Sequence, residues 1–369
     1  EKTLLAHPAV DARLVAAAEG KFRWRQGDLR NLKPAVETIS RKEFEALKPH
    51  LRQPMNRPGI RMFVMRLFAI TEADGTVAKE FYFDFLHPII DGDSINIFLE
   101  DVDAAYRGEA PEKEEYSIFD YYDQIEDTID TPAYKKEQEW NADFVSSFTA
   151  HPGELAGDLE PGDDNVTKDM MLPLHVDLKA VDAFTKVNGV TDGTVLAAAF
   201  GLLQSLANGE KASVVLTIYN GRDDIRYERT MGAVYRHYPL CVRWQEDMTA
   251  SRFVKETQEN ILLCRRHALY EGDPAPLIAA FSYQGEDIED EFTFCGAPAR
   301  YEEIEDYEDE IFDFFLHRRK DDFYVNLTYN TLAYSDAFVT RFLKNYASVI
   351  HGLTAGKSIG EIVKEILRG

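Results

Sequence analysis

Cationic side chains are scarce in this chain. Its 369 residues hold 41 Lys and Arg against 65 Asp and Glu, a net charge of −24. A surface of that sign repels phosphate backbones and anionic lipid headgroups, which argues against nucleic acid and membranes as partners. Cysteine is nearly absent. Cys241, Cys264 and Cys295 are scattered and form no CxxC pair, which argues against a cysteine zinc site and a disulfide framework and fits a reducing cytoplasm. Long apolar runs are lacking as well: VLAAAFGLL stops well short of the ~20 residues of a membrane span. No signal-peptide pattern opens the chain. Neither a GxSxG elbow, a GxxxxGK[ST] phosphate loop nor a DxDxDG calcium loop occurs, so three common kinds of site have no local signature. The sequence opens at Glu1 without Met, and is expected to be a piece of a longer chain.

What is present suffices for a folded protein. Hydrophobic residues make up 45% of the chain, and at roughly 150 residues per domain the length allows two substantial cores. RMFVMRLFAI (61–70) reads as a strand, the Asp74-Gly75 pair as a hairpin turn, and EFYFDFLH as the returning strand. The two-residue period puts Phe81, Phe83, Phe85 and His87 on one face. A helix follows, with Ser94 as its candidate cap and Ile95, Phe98, Val102, Ala105 and Tyr106 at helical spacing. Charge, Pro and Gly accumulate from 108 to 170, and a linker is expected near 151–166. The boundary drawn there gives lobes 1–160 and 161–369. In the second, Thr191 or Asp192 caps a helix apolar on nearly all faces, and KASVVLTIYNGR, IAAFSYQGE and DDFYVNLTYNTLAYS read as strands before a closing amphipathic helix. Strands mixed with helices in both halves predict an α/β protein.

The stretch FLHPIIDGDS (85–94) concentrates the candidate chemistry. His87 stands where a strand gives way to a turn, and a histidine so held is suited to general-base work near neutral pH. Asp91 follows four residues later and reads either as an orienting carboxylate or as a structural acid paired with a distant arginine; the structural role is favoured. Gly92 permits backbone conformations that other residues resist. Arg265-Arg266 and Arg318-Arg319-Lys320 read either as guides for a phosphate-bearing arm or as partners of neighbouring acids. The acidic stretch 285–313 reads as a solvated face, and no metal site is expected.

Several stretches together resemble one family. FLHPIIDGDS is similar to the HHxxxDG signature of nonribosomal peptide synthetase condensation domains and of the wider chloramphenicol acetyltransferase-like acyltransferases. The buried helix and strand from VTDGTVLAAAF to TIYNGR, the run from Gly232 to Pro239-Leu240, the FSYQ strand, the YNT strand and HPAVDARL resemble the family's further motifs, in the right order. The resemblance implies two chloramphenicol acetyltransferase-like lobes in a V-shaped pseudo-dimer with a central tunnel. Carrier proteins would deliver thioesters on phosphopantetheine arms, with no cofactor bound to the chain itself. His87 matches the histidine given the catalytic role, Asp91 the motif aspartate, Arg222 the arginine that pairs with it across the lobes, and Gly92 the motif glycine. Ser282, Gln284 and Asn330 are carried over as weaker candidates for the tunnel wall. Leu86 stands in place of the first motif histidine, and Asp11 in place of an arginine.

The activity implied is acyl transfer, in which an amine or a hydroxyl attacks a carrier-bound thioester and gives an amide or an ester. His87 would orient the nucleophile and take its proton, and a backbone N–H near Gly92 is the candidate oxyanion donor. Peptidyl or acyl carrier proteins and a neighbouring adenylation domain are the implied partners of a monomeric, cytoplasmic enzyme. Three other readings stay open: a stand-alone acyl-coenzyme A acyltransferase, an epimerisation domain, and a degenerate domain that only recruits partners.

Overall fold

The computed structural model describes residues 2–16, 22–26, 35–52, 55, 59–129, 131–159, 166–267, 279–286, 291–302 and 311–368. They form two compact units. One takes Glu1–Thr128 together with Asn220–Tyr235 and Glu291–Arg300; the other takes Ile129–Tyr219, Arg236–Asp290 and Tyr301–Gly369. Chain order alone divides the sequence once, near 160. Residue contacts instead give 129–160 to the second unit and return two later segments to the first.

The first unit runs α1 (Lys2–Ala6), β1 (Ala12–Ala16), β2 (Phe22–Gln26), β3 (Val36–Ser40), α2 (Arg41–Leu47), β4 (Phe63–Thr71), β5 (Val77–Phe85), α3 (Gly92–Tyr106) and α4 (Ile118–Ile129). β1 and β2 form an antiparallel ribbon, and β3-β4-β5 form a sheet in which β3 is parallel and β5 antiparallel to β4. The β4–β5 turn has the predicted chemistry: Gly75 takes φ +86° and the Asp74 carboxylate accepts from Thr76 N.

β5 packs its odd-numbered aromatics on α3. The rings of Phe81, Phe83 and Phe85 lie 6.2, 5.6 and 5.1 Å from that of Phe98, pairs of a kind that contribute about 0.5–1.5 kcal/mol each beyond the area they bury. Of the predicted stripe of α3, Phe98 is buried and Ile95 and Val102 pack partly buried against the same core. Ser94, Ile97, Phe98 and Asp101 face inward, while Tyr106 is 66% exposed. The helix begins earlier than expected because Asp91, not Ser94, is its N-cap.

The second unit holds α5 (Pro132–Ser146), β6 (Thr167–Pro173), α6 (Leu178–Asn188), α7 (Asp192–Ala207), β7 (Ala212–Tyr219), β8 (Arg236–Arg243), α8 (Ala250–Arg266) and β9 (Ala280–Glu286). The hairpin β10 (Glu291–Phe294)–β11 (Ala297–Arg300) returns to the first unit. The second then closes with β12 (Phe312–Arg318), β13 (Phe323–Asn330), α9 (Asp336–Thr354) and α10 (Ile359–Ile366). Its six strands form one mixed sheet in the order β6-β13-β12-β9-β7-β8. α7, capped by Thr191, is buried from Thr194 to Ser205. The all-round apolar sequence predicted this: such a helix has no face to offer water and becomes the centre of a core. The fold class is α/β, as the mixed pattern predicts.

Candidate active site

The strand that carries the aromatics ends at Phe85. Leu86 N donates to Met62 O at 2.8 Å, and a single 3-10 turn, His87–Ile89, follows with Pro88 inside it. His87 therefore does not extend the face of Phe81, Phe83 and Phe85. The strand alternation stops two residues earlier because proline removes a ladder donor and turns the backbone. His87 is exposed, and its imidazole makes no hydrogen bond among the described residues. Its ring neighbour is Tyr235, with centroids 5.1 Å apart and planes at 43°. Leu86, half-buried, packs on the core of the first unit.

Asp91 is fully engaged elsewhere. As N-cap of α3 its Oδ1 accepts from Ser94 N (2.9 Å), Ser94 Oγ (2.6 Å) and Arg222 Nη2 (2.9 Å). Its Oδ2 accepts from Arg222 Nη1 (2.9 Å) and Val234 N (3.2 Å). The side chains of Arg222 and Asp91 are 6% and 5% exposed. Such a carboxylate is an anchor, with no capacity left to orient His87, and of its two readings the geometry fits the structural one. The expectation of a pair across the lobes is corrected too. Segment 220–235 lies in the same compact unit as Asp91.

Two glycines make that segment possible. At Gly221, with φ +69°, a Cβ would lie 2.0 Å from Val234 O; at Gly232, with φ +143°, it would lie 2.5 Å from Ile118 Cγ1. Gly92 is different. Its φ is outside the left-handed region and a Cβ there would meet nothing within 4 Å, so the special backbone expected of it is not needed. It opens α3 on the exposed side. Its N–H belongs to the first turn of α3, where the helix itself supplies no acceptor.

The weaker candidates separate. Ser282 is buried and accepts from Gln284 Nε2 at 2.7 Å on the same face of β9. Ser282 pairs with Phe315 and Phe315 with Asn326. Asn330 is therefore two strands away and four residues further along, about 10 Å across and about 13 Å along. Its Oδ1 accepts from Leu332 N at 2.9 Å and closes the turn before α9. Of the basic patches, Arg318 pairs with Asp182 and Asp192, and Arg265 lies over the Tyr219 ring at 4.7 Å. The side chain of Asp11 and much of the acidic stretch (287–290 and 303–310) lie outside the described residues.

A family model for the Condensation domain matches residues 13–358. The chain belongs to the condensation-domain family. Its fold is the chloramphenicol acetyltransferase-like one. This condensation domain is 30% identical over 111 residues to the hybrid PKS-NRPS synthetase pydA of Acremonium sp, a match spanning 30% of this chain and 2% of that protein's length. Among solved structures it is similar to the first condensation domain of the calcium-dependent antibiotic synthetase (15% identity, 97% of this chain and 87% of that one, TM-score 0.69). It is similar also to the X-domain of teicoplanin biosynthesis in its complex with OxyB (16%, 98% and 85%, 0.75) and to the epimerization domain from the third module of tyrocidine synthetase B (14%, 96% and 89%, 0.74). At these identities the likeness establishes the fold. Among the described residues no single helix is long and apolar enough to cross a membrane.

The condensation domain holds one polar cluster that sequence reasoning missed. His7 is wholly buried, its Nδ1 2.7 Å from Glu114 Oε1 and its Nε2 2.7 Å from Asp101 Oδ2. Arg229 Nη2 donates to Asp101 Oδ1 at 2.6 Å, and Met231 N to Glu114 Oε1 at 2.9 Å. Burial alone would push the imidazole down, but hydrogen bonds to Asp101 and Glu114 outweigh it and hold His7 above its ordinary value. Burial raises Glu114 as well, against the pull of His7. Two cations facing two carboxylates leave the cluster neutral when all four are ionised. Each ring nitrogen faces a different carboxylate, and among the described residues no group of three or more such side chains is arranged to hold a metal ion.

Proposed function

We propose that this domain joins a thioester donor to an amine acceptor, both delivered on phosphopantetheine arms of peptidyl or acyl carrier proteins, with His87 orienting the nucleophile and accepting its proton. The observation that carries the reading is the contrast within the motif. Asp91 is consumed by five hydrogen bonds, whereas the His87 imidazole is exposed, unbonded among the described residues, and set in a turn that runs into Gly92.

The amine nitrogen attacks the thioester carbonyl, and its proton passes to His87. The tetrahedral intermediate collapses, the C–S bond breaks, and the departing phosphopantetheine sulfur takes the proton back. A thioester is reactive enough that most of the acceleration comes from holding the reacting atoms at ~3–3.5 Å, an effect of up to ~7–11 kcal/mol. Proton transfer by the imidazole adds typically ~10²–10⁴-fold. The first-turn N–H at Gly92 is the proposed oxyanion donor. An adenylation domain is the proposed neighbour, the monomer the proposed working state and the cytoplasm the proposed compartment.

The test is mass spectrometry of carrier-bound species after mixing the domain with loaded donor and acceptor carriers. The donor acyl mass is expected to move to the acceptor carrier, with an amide or ester formed. Inversion of an α-carbon without bond formation would replace this reading by epimerisation. Transfer from free acyl-coenzyme A without carriers would replace it by a stand-alone acyltransferase. Carrier capture with zero turnover would leave recruitment alone.

A further inference from the structure

We propose that Tyr235 is a positioning residue for His87, and that the Asp91–Arg222 pair acts on the imidazole through it. The 3-10 turn fixes the His87 backbone but not its side-chain torsions, which have several staggered wells. An exposed imidazole without a hydrogen bond among the described residues is free to sample them unless something lies against it. The ring that does is Tyr235, 5.1 Å away. The preceding side chain, Leu86, is aliphatic and offers no polar group to hold the imidazole.

The position of Tyr235 is itself dictated. Gly232 N donates to Ser94 Oγ at 3.1 Å, Ala233 N to Pro88 O at 3.3 Å, and Val234 N to Asp91 Oδ2 at 3.2 Å. Tyr121 OH donates to Val234 O at 3.2 Å. Three successive residues are thus tied to the motif turn and its helix, and the last tie runs from the carboxylate that grips Arg222. The grip of the ion pair ends one residue before the ring that touches His87. The buried pair and the exposed imidazole, which share no bond, are parts of one mechanical chain.

The catalytic consequence rests on the proposed role of His87, but the positioning is testable without turnover. In the wild-type domain, nuclear Overhauser contacts are expected between the Tyr235 ring protons and the His87 ring protons, and the His87 Hε1 resonance is expected to be displaced by the Tyr235 ring current. Tyr235→Phe should keep that displacement, and Tyr235→Leu should abolish it with little change in melting temperature. In the condensation assay, Tyr235→Leu should lower kcat by about 3- to 10-fold, the size of one aromatic contact, with KM for the acceptor carrier nearly unchanged, and Tyr235→Phe should restore the rate. Absence of the wild-type Overhauser contact, or an unmoved Hε1 shift in Tyr235→Leu, overturns the proposal whatever the activity. A moved shift together with full activity of His87→Ala would instead overturn the proposed role of His87 and leave the positioning intact.

Discussion

Arg222 and Asp91 meet end-on. Nη1 and Nη2 each reach a different carboxylate oxygen at 2.9 Å, and both side chains are almost wholly buried. Bidentate geometry makes this one of the stronger ion-pair types, and the fork of arginine fits it where lysine would not. The pair also satisfies a helix N-cap, since the same carboxylate accepts from Ser94 N.

Removing either partner leaves the other charge buried and uncompensated. Asp91→Ala and Arg222→Ala should each cost about 3–5 kcal/mol of unfolding free energy. The double variant should cost clearly less than the sum, because the two share one interaction. Urea unfolding checks both statements, and full additivity would separate the two residues energetically.

Gly221→Ala and Gly232→Ala should destabilise by roughly 1–3 kcal/mol each through left-handed strain and overpacking. The added methyl at residue 221 meets a backbone carbonyl, which cannot swing aside. Thermal melts read the effect, and variants as stable as the parent would mean that segment 220–235 relaxes freely.

Gly92→Ala separates packing from chemistry. With nothing within 4 Å of the new Cβ, stability should change by less than about 1 kcal/mol, if anything upward, since alanine is the better helix former. Product formation should nevertheless fall, because the methyl occupies space beside the proposed reaction centre. Unchanged turnover would remove Gly92 from the site.

His7 gives the domain a stability term that depends on pH. Its folded value is raised above 6.5 by Asp101 and Glu114 against the cost of burial. A raised base stabilises fully below its unfolded value and loses that contribution as pH climbs through the folded value. Glu114, raised from 4.5 chiefly by burial, works in the same direction, because the folded chain keeps a proton that the unfolded chain has released. His7→Gln should therefore cost roughly 3 kcal/mol or more at pH values below the unfolded value and progressively less as pH rises through the folded one. Guanidinium unfolding at pH values on either side of the unfolded value measures the difference, and a gap independent of pH would show that folding does not shift His7.

Much of this was legible in the sequence where local rules act alone. The Asp74-Gly75 turn, the Phe81–Phe85 alternation and the buried α7 follow from periods and turn chemistry, and the structure carries all three. The α/β class follows from the same patterns. Local rules failed where distant segments decide. Ser94 is a fair cap by type, but Arg222 and Val234 draw Asp91 into that place. The His7 cluster joins residues about a hundred positions apart, and no spacing rule links His7 to Asp101, Glu114 and Arg229. Tyr235 was passed over for the same reason. A tyrosine before a strand is ordinary, and only the ties at residues 232 to 234 put its ring on His87.

The measurement that bears hardest on the role of His87 is single-turnover transfer between loaded carriers by His87→Ala beside the parent. A loss of roughly 10²–10⁴-fold in rate is expected, with melting temperature and carrier binding unchanged because the imidazole is exposed and unbonded among the described residues. Transfer at the parental rate by a correctly folded His87→Ala domain would contradict it.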